Sequence, residues 1–200
     1  MTETPPFSLK TLLWGLVIPL LVGLLIMLFP TIIAPATADF VPFPLHTAFA
    51  QMVIYGVPLL LGLNWNKWAG GASGFLLGTL WYISNAGYYN AFTGGNPNMF
   101  GDLSFVGYIV TGILIGYIGG ALCDKSYSFK RMLGAGLTAA ITVAIFQFIL
   151  NATVAVEFAR NMTLADPGYA LFITVLPNVI LGLIIPLIAK ISYGSELSHP

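Results

Sequence analysis

The side chains able to do chemistry gather in one stretch of this chain. Trp81, Tyr82, Asn85, Tyr88, Tyr89, Asn90, Asn96, Asn98 and Asp102 close one long apolar run and fill the polar segment after it. Amides also stand inside other apolar runs: Gln147 and Asn151, four apart and so on one face of a helix, and Asn178 directly after Pro177. These are not the paired acids, bases or activated nucleophiles of covalent or proton-transfer catalysis. They suit a small-molecule site, which needs apolar and aromatic walls with a few placed amides or hydroxyls. On that expectation Trp81, Tyr88, Tyr89 and Tyr108 are stacking walls, and Asn85, Gln147, Asn151 and Asn178 supply hydrogen bonds. A plainer alternative stays open, in which the aromatics are an interfacial belt with turn formers beside it and the amides tie helices together.

Other chemistries find little support. The chain has two histidines and one cysteine, so a histidine-rich metal site, bis-histidine haem ligation and an internal disulfide are not available within one copy. His199 lies in the tail, and His46 beside Pro44 fits an interfacial hydrogen-bonding role. No apolar run carries a carboxylate or cation at mid-depth, which disfavours an autonomous ion-driven carrier. No catalytic residue, metal or cofactor is expected, and the chain is not expected to be an enzyme. Net charge is zero and the basic residues cluster no further than Lys125, Lys130 and Arg131, so nucleic acid is not an expected partner.

The elements that must position these residues are set by composition. Of 200 residues 58% are hydrophobic and 7% charged, against about 25% charged in a typical soluble domain. Seven basic and seven acidic residues cannot solvate a globule of this size, so lipid must cover most of it. About 20 apolar residues cross a bilayer core as a helix, and six uncharged runs fit: Leu12 to Ile33, Leu45 to Leu63, Ala69 to Gly87, Phe105 to Leu122, Leu133 to Leu150 and Tyr169 to Ala189. They are separated by Ala34 to Pro44, Asn64 to Trp68, Tyr88 to Ser104, Cys123 to Met132 and Asn151 to Gly168. The runs are apolar all round, unlike the alternating segments of a membrane β-barrel. Pro19, Pro58, Pro177 and Pro186 fall within them and are tolerated in membrane helices as candidate kinks. The first run is too long for the apolar region of a signal peptide, although cleavage after Ala36 or Ala38 is a minor alternative.

The expected fold is thus an all-α integral membrane protein, one transmembrane domain over residues 1–200 built as a bundle of about six helices. With the amino terminus inside, Lys10, Lys67, Lys125, Lys130, Arg131 and Lys190 fall on the cytoplasmic side and only Arg160 outside, as retention of cations on that side requires. Both termini are then cytoplasmic, and the protein is multi-pass in the cell membrane. Gly70, Gly74 and Gly78, and again Gly112, Gly116 and Gly120, recur at every fourth position. Each set makes a flat stripe that lets another helix approach closely, either inside the bundle or from a partner subunit.

Gly70-Gly71-Ala72-Ser73-Gly74-Phe75-Leu76-Leu77-Gly78-Thr79-Leu80, then Phe105-Val106-Gly107-Tyr108 and the glycine-rich run after it, and Leu176-Pro177-Asn178 leading to Lys190, give the chain a family likeness. With its length and six spans it resembles the substrate-binding membrane subunits, or S components, of energy-coupling factor vitamin transporters. Gly15, Pro19 and Gly23 stand where many members have two alanines four apart for docking, and the Met-His start of the cobalt and nickel members is absent. The resemblance implies a vitamin-like solute held at the outer side under a loop, with a membrane coupling subunit and separate ATPases as partners. The expected function is capture of a small neutral or aromatic solute in an outward-facing pocket. The rival is a structural or accessory subunit of a membrane complex that transports nothing.

Overall fold

The computed structural model describes the backbone of residues 43–92, 103–126, 128–155 and 157–196, with the isolated positions Leu13, Val17 and Leu21. Side chains are described for residues 52–83, 103, 106–126, 128–155, 160–161 and 163–191. The rest of the expected first span, the side chain of His46, and the loop residues Asn96, Asn98 and Asp102 lie outside these.

Among the described residues the chain is helical: α1 (Phe43–Asn64), α2 (Lys67–Phe92), α3 (Leu103–Cys123), α4 (Phe129–Thr153), α5 (Glu157–Ala165) and α6 (Pro167–Glu196). Among the described residues three segments are long and apolar enough to cross a membrane, Val106–Cys123, Phe129–Thr153 and Pro167–Ile191, and Met52–Asn64 is a shorter apolar stretch. At 1.5 Å per residue the 25 residues of α4 span about 37 Å, more than a hydrocarbon core of about 30 Å. Large apolar side chains such as Phe75, Val110, Ile145, Ile149, Phe172 and Leu187 face outward, a surface suited to lipid and not to water. The described chain is therefore helical, with three helices suited to crossing a membrane.

The helices outrun the apolar stretches that announced them. Lys130 and Arg131 lie inside the first turn of α4, and α2 continues through Tyr88 to Phe92. Backbone hydrogen bonding does not stop where hydropathy falls, and charged side chains at a helix end reach the interface. Ends are set by caps. Asn66 Oδ1 accepts the N–H groups of Trp68 and Ala69, 2.9 Å each, which shortens the break before α2 to Trp65 and Asn66. Asp166 Oδ1 accepts the N–H of Tyr169 at 3.0 Å, with Pro167 at the first position of α6, where a missing N–H costs nothing. The turn from α3 to α4 uses left-handed backbone at Asp124 (φ 48°) and Lys125 (φ 57°).

Within the expected break Asn151 to Gly168, α5 occupies Glu157–Ala165. At nine residues it is far too short to cross a bilayer, so a search for long apolar runs passes over it.

The glycine stripes face each other. A Cβ added at Gly70 would come within 2.8 Å of Gly116 C, one at Gly112 within 2.6 Å of Gly74 O, and one at Gly78 within 2.6 Å of Tyr108 O. The register runs 70 to 116, 74 to 112 and 78 to 108, an antiparallel seam of backbone on backbone and the most extensive helix contact in the bundle. Gly62 of α1 meets Gly116 and Gly120 in the same place. The stripes are consumed inside the bundle. On the other flank, Gly182 of α6 fits against Ala140 of α4, and Gly136 against Pro186. The core between the layers holds Ile54, Tyr55, Leu59, Leu77, Trp81, Ile115 and Val143.

These contacts bring the start of α2, the end of α3, the start of α4 and the end of α6 to one end of the bundle. Lys67, Lys125, Lys130, Arg131 and Lys190 gather there, and Arg160 on α5 lies at the other.

Candidate functional site

At the end away from the cations, Trp81 on α2 is buried and meets the ring of Tyr108 on α3 edge to face, with centroids 6.2 Å apart at 80°. Burial separates Trp81 from a lipid-facing belt. Beside Tyr108, the missing side chain of Gly107 makes room for α4: a Cβ there would collide with Leu150 and sit 3.5 Å from Gln147 Oε1. Gly107 thus lets an amide of α4 approach the α3 backbone next to an aromatic wall.

A polar chain runs through the same layer. Thr111 Oγ1 donates to Gly107 O at 2.8 Å, and Tyr55 O–H on α1 lies 3.1 Å from Thr111 Oγ1. A hydroxyl has one proton, so with Thr111 committed to the carbonyl Tyr55 is the donor of the pair. Both residues are fully buried. Gln147 Nε2 donates to Asn151 Oδ1, one turn on, at 3.2 Å. Gln147 Oε1 is buried with no hydrogen-bond partner among the described residues. Reversing both amides would leave Gln147 with a spare amine in place of a spare oxygen, so one hydrogen-bonding atom is in surplus either way. A buried polar atom without a partner costs about 1–3 kcal/mol, which a well-packed apolar residue there would avoid.

Asn178 on α6 repeats the pattern. Its Nδ2 donates to Thr174 O at 2.8 Å, which settles the amide orientation, and its Oδ1 is buried without a partner among the described residues. No described contact joins Asn178 to the other site residues.

Of the expected site, then, Trp81 and Tyr108 touch, Gln147 and Asn151 are bonded, and Gly107 links the two pairs. Asn178 is buried on a separate helix. Asn85, Tyr88 and Tyr89 lie on the turns of α2 that follow Trp81, and their side chains are outside the described residues. Comparison with protein-family models, curated proteins and solved structures finds no match. The site's own geometry carries the functional argument.

Tyr55, Gly107 and Thr111 belong to this layer and are not among the site residues expected from sequence. A lone tyrosine or threonine within an apolar run is a usable signal, since each polar atom in hydrocarbon must find a partner. Among the described residues no group of three His, Cys, Asp or Glu side chains could hold a metal. A groove of about 380 Å³ lies elsewhere, lined by Gly168, Leu171, Phe172, Val175, Leu176 and Val179 of α6. It offers no polar side chain to orient a solute and includes none of the expected site residues, so the Gln147 layer is the better candidate.

Proposed function

We propose that this protein is the substrate-capture subunit of a membrane transporter, binding a small neutral or aromatic, vitamin-like solute in an outward-facing pocket and relying on separate ATPases through a membrane coupling subunit. One observation carries the proposal: the surplus hydrogen-bonding atom of Gln147, buried against Gly107, whose chain neighbour Tyr108 meets Trp81. A solute with a polar edge and a flat apolar body would satisfy that atom and stack on those rings. Six spans with both termini cytoplasmic, in the cell membrane, complete the proposal. The cations at one end of the bundle support that orientation, because the end rich in Lys and Arg is the one retained inside. The resemblance to the S components of energy-coupling factor transporters points the same way.

The accessory-subunit rival relied on the glycine stripes as docking faces. Since α2 and α3 use those stripes on each other, that support is lost. Mass spectrometry of small molecules extracted from the gently purified protein tests the proposal. Wild type should release a molecule that the Gln147→Leu variant does not retain, and a wild type that is empty yet recovered with a fixed set of membrane partners would favour the rival.

A further inference from the structure

At the cationic end, α2 begins with Lys67 and Trp68 in a fixed setting. Asn66 caps the helix, and the Lys67 backbone lies so close to α3 that a Cβ on Gly120 would come within 2.6 Å of Lys67 Cα. Held from both sides, this first turn presents its side chains in a set direction. Lys67 Nζ sits 5.9 Å from the Trp68 ring centre and 5.7 Å from that of Tyr117, and the two rings meet edge-on at 5.4 Å. Rings attract an ammonium through their π faces and carry no net charge, so they orient Lys67 without neutralising it.

No carboxylate among the described residues neutralises it either. Asp124, the described acid at this end, lies 3.8 Å from Arg131. Lys67, Lys125 and Lys130 are left as positive charge at one rim of an apolar bundle. Trp68 is 69% exposed and Phe75, two turns along the same helix, is 51% exposed, so an apolar track leads from the ammonium toward mid-membrane.

We infer that Lys67, Trp68 and Tyr117 form a binding site for one anionic phospholipid, with the head-group phosphate on the Lys67 ammonium and the upper acyl chain along Trp68 and Phe75. The charge and the track select a lipid. A soluble phosphate would meet only the ammonium, whereas an amphiphile meets both parts, and the surplus of cations at this rim is complementary to an anionic leaflet. The site is independent of the solute-capture proposal and lies at the opposite end of the bundle.

Native mass spectrometry of the full chain, released from detergent containing equal phosphatidylglycerol and phosphatidylcholine with identical chains, tests it. Wild type should retain phosphatidylglycerol in preference, and Lys67→Gln should lower that preference about fivefold, the worth of one lysine near a charged surface. Lys67→Arg should restore it, and Trp68→Ala should weaken phosphatidylglycerol retention. Equal retention of both lipids by wild type overturns the site, as does a preference that survives Lys67→Gln. An equal loss in Lys130→Gln overturns it in favour of diffuse charge at the rim. Displacement of the lipid by inorganic phosphate at matched concentration overturns the lipid assignment in favour of a free anion.

Discussion

Replacing Gly116 with alanine presses on the seam that holds α2 to α3. The new Cβ would come within 2.8 Å of Gly70 Cα and closer still to the Gly70 carbonyl. Ordinary carbon–carbon contact lies at about 3.5–4.0 Å, so the helices must part by about 1 Å, a gap that forfeits about a quarter to a half of each atom pair's attraction. Because Gly74–Gly112 and Gly78–Tyr108 are contacts of the same two helices, they open together. Overpacking costs about 1–3 kcal/mol, and with backbone on both sides no flexible side chain can yield, which favours the upper half of that range. Alanine returns up to about 1 kcal/mol in helix propensity, so the net loss is about 1–2 kcal/mol. Gly134 on α4 is the matched control, since a Cβ there meets nothing within 4 Å and only the propensity gain of about 0.5–1 kcal/mol remains. Reversible unfolding of each variant in mixed micelles, titrated with a denaturing detergent, should move the midpoint in opposite directions. Shifts of the same sign, or an unchanged Gly116→Ala midpoint, would refute the close-packed seam.

The polar layer gives two further tests. Gln147→Leu should raise the stability of solute-free protein by about 1–2 kcal/mol, because an unpartnered buried atom is removed, while abolishing solute retention; a drop in stability would mean the amide is structurally satisfied. Thr111→Val keeps the shape but leaves the buried Tyr55 hydroxyl without its acceptor, and should cost about 1–3 kcal/mol; an unchanged thermal midpoint would count against the Tyr55–Thr111–Gly107 chain. For topology, single cysteines at Ser126 and Asn96 in a Cys123→Ala background should react from the cytoplasmic and outer sides respectively, and labelling of both from one side would end the six-span arrangement.

Sequence by itself determined that this chain is helical and belongs in a membrane, because hydropathy over about 20 residues reports a one-dimensional property, the transfer of a whole helix into lipid. It also placed small residues at every fourth position of two runs, although a stripe of glycines is the same whether a helix of this chain or of another lies on it. Only the antiparallel register of Gly70 with Gly116 and Gly74 with Gly112 decided that the two stripes meet each other. The amphipathic α5 escaped notice because nine residues leave too weak a signal in a window sized for a span. The site divides in the same way. Trp81, Tyr108, Gln147 and Asn151 are recognisable as costly or amphipathic groups in apolar runs, whereas Tyr55, Gly107 and Thr111 matter through neighbours 40 to 56 positions away: the Tyr55 hydroxyl reaches Thr111 across 56 positions, and Gly107 makes room for Gln147 only once α3 and α4 are packed. Hydrogen-bond satisfaction in a membrane interior is a property of the assembled bundle, so which amide atom is left over could be decided only by tertiary structure.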